Sequence, residues 1–144
     1  MRIITGITGA SGAIYGWELL KFLKSSGHEI HCVVTATGWE ILKYECGVTQ
    51  EDVLKHVHVL HEINNLGACI SSGSYKTDAM VVAPCSMRTI ASVAHGFSDN
   101  LLCRAADVMI KERRKLVLVP RETPLSSIHL RNMLTLSDTG VTIL

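Results

Sequence analysis

The stretch Gly6-Ile7-Thr8-Gly9-Ala10-Ser11-Gly12-Ala13-Ile14-Tyr15-Gly16 constrains this chain more than any other. An apolar run from Arg2 to Thr5 enters it and an amphipathic pattern from Ile14 to Ser25 leaves it, which predicts strand, glycine turn and helix. Glycines let the backbone turn tightly and approach a ligand, while unpaired N–H groups at the helix start point at negative charge. Ser11 adds a hydroxyl. The dipole of an exposed helix end contributes only about 0.3–1 kcal/mol, so hydrogen-bond geometry matters more than field. Glycines at positions 6, 9 and 12 spell GxxGxxG, a loop that suits a dinucleotide, a mononucleotide phosphate or merely a tight strand-to-helix turn. A dinucleotide site expects an acidic residue near the end of the second strand, for the ribose hydroxyls. The second apolar run, Glu29 to Thr35, ends in Val33-Val34-Thr35-Ala36-Thr37 with no carboxylate. A mononucleotide gains ground, with Thr35 as a second phosphate or ring contact.

With 144 residues the chain is expected to form one domain, 1–144, and 47% apolar with 19% charged residues fits well-covered strands. A formal charge of +1 argues against nucleic acid or membrane as the main partner. No apolar stretch reaches the ~18 residues of a membrane span, and nothing resembles a signal peptide. Cys32, Cys46, Cys69, Cys85 and Cys103 are odd in number and include no CxxC pair, which reads as reduced thiols in the cytoplasm.

Gly27 suits the left-handed end of the first helix. A helix around Trp39, Ile41 and Leu42 should end near Gly47, and Thr49 with Asp52 predicts a capping box for a helix from Gln50 to His56. From His56 to Gly67 the pattern is poorly defined, with Val57, Val59 and Ile63 expected to touch the core. A buried strand from Ala79 to Ala83 feeds Pro84-Cys85-Ser86-Met87-Arg88-Thr89, a second strand-to-helix anion turn built from hydroxyls and backbone. Asp99 or Ser98 is expected to cap a long helix, Asn100 to Arg113. Leu116 to Val119 reads as a fourth strand, a helix from Ser126 or Ser127 to Leu136 follows, and Val141 to Leu144 begins a fifth strand. Strands alternating with helices predict an α/β, doubly wound, mostly parallel sheet in flavodoxin-like order, with ligands outside the carboxyl ends of the strands. The last strand has no helix after it, so a missing tail or a subunit interface is expected to cover that edge.

Ser86, Arg88, Arg104, Lys111 and Arg121 are the donors and cations available to converge at the strand ends, with Glu122 as the neighbouring carboxylate. Such a set handles phosphate, and the carboxylate beside it can move a proton. For Arg104 and Lys111 a solvated helix face is the competing reading, because Lys111 opens a charge run near a helix end. His56, His58 and His61 form HxHxxH, yet no Cys or carboxylate falls at a recognised ligand spacing with them. Cys85 reads as a small buried thiol, since it has no identifiable His partner.

Gly6 to Gly16, Ser72-Gly73-Ser74, Ala83 to Thr89, Asp99-Asn100-Leu101-Leu102, Arg104 to Val108, Lys111 to Arg114, Leu116 to Pro124, Ile128-His129-Leu130 and Asn132-Met133-Leu134 closely resemble the UbiX family. These are flavin prenyltransferases, also described as small subunits of phenolic acid decarboxylases. The resemblance covers nearly the whole chain in order and is weakest from Gln50 to Gly67. It implies transfer of a dimethylallyl group from dimethylallyl monophosphate to reduced FMN, bonding N5 and then C6, without a metal. It implies FMN contacts at Gly9, Ala10, Ser11, Thr35, Ser86, Met87, Arg88, Thr89 and Arg121. Prenyl-phosphate and proton-transfer chemistry falls near Lys111, Arg104, Glu122 and Glu45, with Ser11 beside them. It further implies a homo-oligomer, trimers within a dodecamer, and delivery of prenylated FMN to a UbiD-type decarboxylase. The family continues past the fifth strand into a tail whose Tyr and basic residue hold the prenyl phosphate, and this chain is expected to lack it. Arg131 stands where the family more often has Glu.

Two rival readings belong to other classes. One is a noncatalytic FMN-binding accessory subunit of an aromatic acid decarboxylase. The other is a nucleotide-dependent reductase, which the missing acid after the second strand and the lack of a TyrxxxLys pair count against.

Overall fold

The computed structural model describes residues 1–144. Strand β1 (Arg2–Ile7) is buried along nearly its whole length, as a parallel strand covered on both faces must be. Gly12, at φ 97°, turns the chain into helix α1 (Ala13–Ser25), whose buried residues Ala13, Gly16, Leu20 and Leu23 follow helical spacing. Strand β2 (Glu29–Val34) leads to α2 (Ala36–Cys46), closed by a left-handed Gly47, and then to the short helix α3 (Gln50–Leu54), which carries the Thr49/Asp52 capping box. After β3 (Val59–His61) and a 3₁₀ turn at Cys69–Ser71 come β4 (Ala79–Cys85), α4 (Met87–Ala94) and α5 (Leu101–Lys111). Strand β5 (Lys115–Pro120), α6 (Ser127–Asp138) and β6 (Thr142–Ile143) complete the order.

All six strands are parallel, in the order β3-β2-β1-β4-β5-β6. Five strands, without β3, would give the flavodoxin-like order read from the sequence; the edge strand beside β2 extends this to the Rossmann order. That strand is only three residues long, and its Val59 is exposed instead of touching the core as expected. Alternate residues of β1 point to opposite faces: Ile3 and Ile7 join the core under α1, α2 and α3, whereas Ile4 joins the core under α4 and α5. Other boundaries move by a residue or two. One assignment changes: Asn100, not Asp99 or Ser98, caps α5, its side chain accepting from the Cys103 N–H at 2.9 Å.

Pairing is in register from Arg2 opposite Glu29 to Ile7 opposite Val34, so the loops after β1, β2 and β4 open at the same end of the sheet. The chain crosses from one half of the sheet to the other after β3, and the strand order reverses between the neighbours β1 and β4, which is where an open α/β sheet leaves a crevice.

Candidate active site

Helices α2, α4 and α5 all start at this crevice. Their caps Thr35, Ser86 and Asn100 accept hydrogen bonds from the N–H groups of Gly38, Thr89 and Cys103. Residues at these three helix starts, together with Thr8 and Gly9, line a cavity of about 340 Å³. Three positive helix ends facing one space favour an anion there. Thr8 ties the two halves together, because its hydroxyl donates to the Pro84 carbonyl and accepts from the Ser86 N–H, both at 2.8 Å. Gly9 has no room for a side chain: a Cβ would lie 2.1 Å from the Thr37 hydroxyl oxygen. Of the expected flavin contacts, Gly9, Thr35, Ser86, Arg88 and Thr89 border this cavity. Ala10 is buried next to Gly9, and the Met87 side chain packs on the core.

The start of α1 is a separate cluster. Its anion is the carboxylate of Glu45, which accepts from the Ser11 hydroxyl at 2.7 Å and from the Gly12 and Ala13 N–H groups at 2.9 Å. The Ser11 hydroxyl and then those backbone donors, with Arg121 nearby, hold Glu45 below the usual carboxylate range. Arg121 is anchored by its own N–H on the Cys85 carbonyl, and its Nε lies 3.8 Å from where a Gly12 Cβ would stand. Glu122, two residues past β5, is exposed, its carboxylate accepting from the Thr123 N–H.

Arg104 and Lys111 do not join these groups within one chain. Arg104 donates from Nε to the Ser71 carbonyl at 3.0 Å and pairs with Asp107, while Lys111 pairs with Glu112 beside Gly73. Asn100 lines the cavity and Lys111 lies eleven residues further along the same helix, which at 1.5 Å per residue is roughly 16 Å. Cys85 is fully buried and burial pushes its thiol up, as a core residue requires. The HxHxxH histidines disperse: His56 sits edge-on to Trp17, His58 accepts from the Ile30 N–H, and His61 goes elsewhere.

The whole chain, residues 1–144, matches the Flavoprotein family model. It is 52% identical over 139 residues to flavin prenyltransferase UbiX of Neisseria meningitidis, covering 96% of this chain and 74% of that protein. A solved structure of AnUbiX (PadA1) in complex with FMN and dimethylallyl pyrophosphate superposes with a TM-score of 0.97 at 46% identity, over 99% of this chain and 76% of that one. The same TM-score and identity relate it to a dodecameric FMN-dependent UbiX-like decarboxylase from Escherichia coli O157:H7, over 99% of this chain and 79% of that one. This chain belongs to the UbiX-type flavin prenyltransferase family.

For a UbiX-type chain, sequence reasoning overlooked part of the cavity wall. Asn64, Ser92 and Asp99 line it without having been singled out as binding residues. Asp99 and Asn100 stand in a stretch that carries the family resemblance, so that signal was available. Asn64 lies where the resemblance is weakest, and a lone Asn in a polar loop has no periodicity to mark it.

Proposed function

We propose that this chain is a flavin prenyltransferase that moves a dimethylallyl group from dimethylallyl monophosphate to reduced FMN. The observation that carries this is the cavity where three helix starts, the hydroxyls of Ser86 and Thr89, and Arg88 face a glycine with no space for a Cβ. FMN fits that donor set: one phosphate is matched by Ser86, Arg88, Thr89 and the first N–H groups of α4, and β2 ends without the carboxylate a dinucleotide ribose would use. When bound and reduced, FMN supplies an electron-rich ring as the acceptor.

The protein's share of the chemistry is electrostatic and protonic. As the allylic C–O bond breaks, phosphate leaves with the electron pair, and fixed cations stabilise it. Arg121 stands ready beside the glycine turn. Ser11 and Glu45 form a short relay, hydroxyl to carboxylate, that can take up a proton as the new bonds form, and Glu122 at the end of β5 is a second acceptor. Lys111 is assigned to the prenyl phosphate of a neighbouring copy, since it lies too far along α5 to serve its own cavity, and Arg104 is assigned with it because the Ser71 carbonyl and Asp107 already hold its guanidinium on their side.

That assignment needs a homo-oligomer. Tyr15 and Phe22 on α1 and Ile128, Leu130 and Leu134 on α6 are large apolar side chains left exposed, which supports subunit contacts there. Trimers built into a dodecamer are the assembly proposed, in line with the dodecameric relative. No helix is long and apolar enough to cross a membrane. All five cysteines are free thiols, which supports a reducing cytoplasm. The product, prenylated FMN, is proposed to pass to a UbiD-type decarboxylase.

The test is an anaerobic incubation with reduced FMN and dimethylallyl monophosphate, followed by mass analysis of the extracted flavin. A flavin heavier by one prenyl group is expected. Tightly bound but unmodified flavin would instead favour a noncatalytic FMN carrier.

A further inference from the structure

Sheet register brings together three ligand-type side chains that lie far apart in sequence. His31, in the middle of β2, is 2% exposed, and its Nδ1 lies 2.9 Å from Nε2 of His61 at the end of β3. Cys69, exposed at the start of the 3₁₀ turn, completes the group: its Sγ and the two imidazole nitrogens all lie within 4.8 Å of one another. We propose that His31 Nδ1, His61 Nε2 and Cys69 Sγ form a Zn²⁺ site that clips the loop after β3 to the edge of the sheet, with a fourth position open to water.

The surroundings of His31 carry this furthest. Its Nε2 lies 3.1 Å from Glu29 Oε1, and Glu29 is fixed by Arg2 Nε at 2.8 Å. An ionised carboxylate only accepts, so Nε2 carries the proton and Nδ1 presents its lone pair to His61 and Cys69. The Tyr75 hydroxyl lies 3.1 Å from the same Nε2, where it can share that proton as an acceptor, and donates to the Glu29 carboxylate at 3.4 Å. A histidine whose outer nitrogen donates to a carboxylate is oriented and made more basic, as metal-bound histidines are. Two imidazoles and a thiolate suit Zn²⁺ and are poor ligands for Mg²⁺ or Ca²⁺.

Without an ion, His61 Nε2–H donates to His31 Nδ1. Binding moves that proton to His61 Nδ1 and releases the Cys69 thiol proton to solvent, so one proton leaves per ion bound. Zn–N bonds of about 2.05 Å at a tetrahedral angle separate two nitrogens by about 3.3 Å, and a Zn–S bond of about 2.3 Å sets sulfur about 3.6 Å from each nitrogen, so His61 must give by about 0.4 Å and Cys69 must close in by up to about 1.2 Å from its present limit of 4.8 Å. Edge strand β3 and the exposed turn at Cys69 are the parts of the molecule best able to do so. The clipped loop carries Ile63 and Asn64 of the cavity wall and Ser71, whose carbonyl holds Arg104. The ion takes no part in prenyl transfer.

Titration of the full chain with Co²⁺ reads the site directly. One Co²⁺ per chain is expected, with tetrahedral visible absorption and a thiolate charge-transfer band. Cys69→Ser abolishes that band, and Glu29→Gln, which leaves the three ligands in place, weakens Co²⁺ binding by about 10–100-fold. His61→Gln, on the edge strand, weakens it by at least as much. Failure of the unaltered chain to bind Co²⁺, binding without the charge-transfer band, or a band that survives Cys69→Ser would each overturn the proposal.

Discussion

Glu45 gives the start of α1 two possible anions, its own carboxylate or a ligand's. Its hydrogen bonds to Ser11, Gly12 and Ala13 place an acceptor-only group beside the glycine turn. Replacing one carboxylate oxygen by an amide nitrogen leaves the shape intact but removes the proton acceptor. Glu45→Gln is therefore expected to keep FMN bound while slowing prenyl transfer by about 10²–10⁴-fold, the usual contribution of a positioned base. Single-turnover mass analysis alongside a flavin fluorescence titration separates the two effects. Gly9 is tested by a different readout. An added methyl would meet both Thr37 Oγ1 at 2.1 Å and Thr37 Cβ at 2.4 Å, so rotating the hydroxyl away does not relieve it. Overpacking of this kind costs about 1–3 kcal/mol, and Gly9→Ala should weaken FMN binding by about 10–100-fold. The glycines and hydroxyls at strand ends could be read from the sequence because their chemistry is local to each loop. Ser11 and Glu45 lie 34 positions apart, and only the family resemblance brought them together.

At the scale of elements, close approach of α1 to the sheet rests on Gly16. A Cβ there would lie 2.2 Å from the Ala83 carbonyl oxygen, a backbone atom that cannot rotate aside. Alanine gains up to about 1 kcal/mol of helix propensity over glycine, but the clash costs about 1–3 kcal/mol. Gly16→Ala is expected to lower stability by roughly 1–2 kcal/mol in denaturant unfolding, and a stabilised variant would show that α1 shifts freely. The cap of α3 has a pH signature. Hydrogen bonds from Thr49, first its side chain and then its backbone, together with Lys55 hold Asp52 at about 2, below its ordinary 3.8. A depressed carboxyl stabilises the fold above its unfolded value and loses that contribution as pH falls through the folded value. The Tm gap between the unaltered chain and Asp52→Asn should thus hold at neutral pH and close between about pH 4 and pH 2. A gap unchanged at pH 2 would place the effect in the side chain's shape rather than its charge. This capping box was plain in the sequence because both partners lie within four residues. Strand β3 was not: three residues alternate too briefly to show a period, and only pairing with His31 to Val33 makes them a strand.

At the scale of the whole molecule, the groups proposed for catalysis are divided between two ends of one chain. Arg88, Ser86 and Glu45 surround the carboxyl ends of the strands, whereas Lys111 lies at the far end of α5, near the amino ends. No rotamer of a lysine spans roughly 16 Å, so if Lys111 acts on the prenyl phosphate it must do so in trans. Periodicity in a sequence assigns Lys111 to a helix end but says nothing about which copy's cavity it faces. Mixing two defective chains distinguishes the possibilities. Lys111→Ala has an intact cavity and no cation to lend, and Gly9→Ala has the cation but an impaired cavity. With reduced FMN held well below the Kd of Gly9→Ala, each alone should turn over slowly. Co-assembled in equal amounts, about one site in four pairs an intact cavity with an intact lysine if the contact is heterologous and closes into a ring. Activity should therefore rise to about a quarter of the unaltered level in mixed assemblies and stay at the sum of the parents when they are only combined after folding. If Lys111 served its own chain, no mixed site would be whole and no rise would follow.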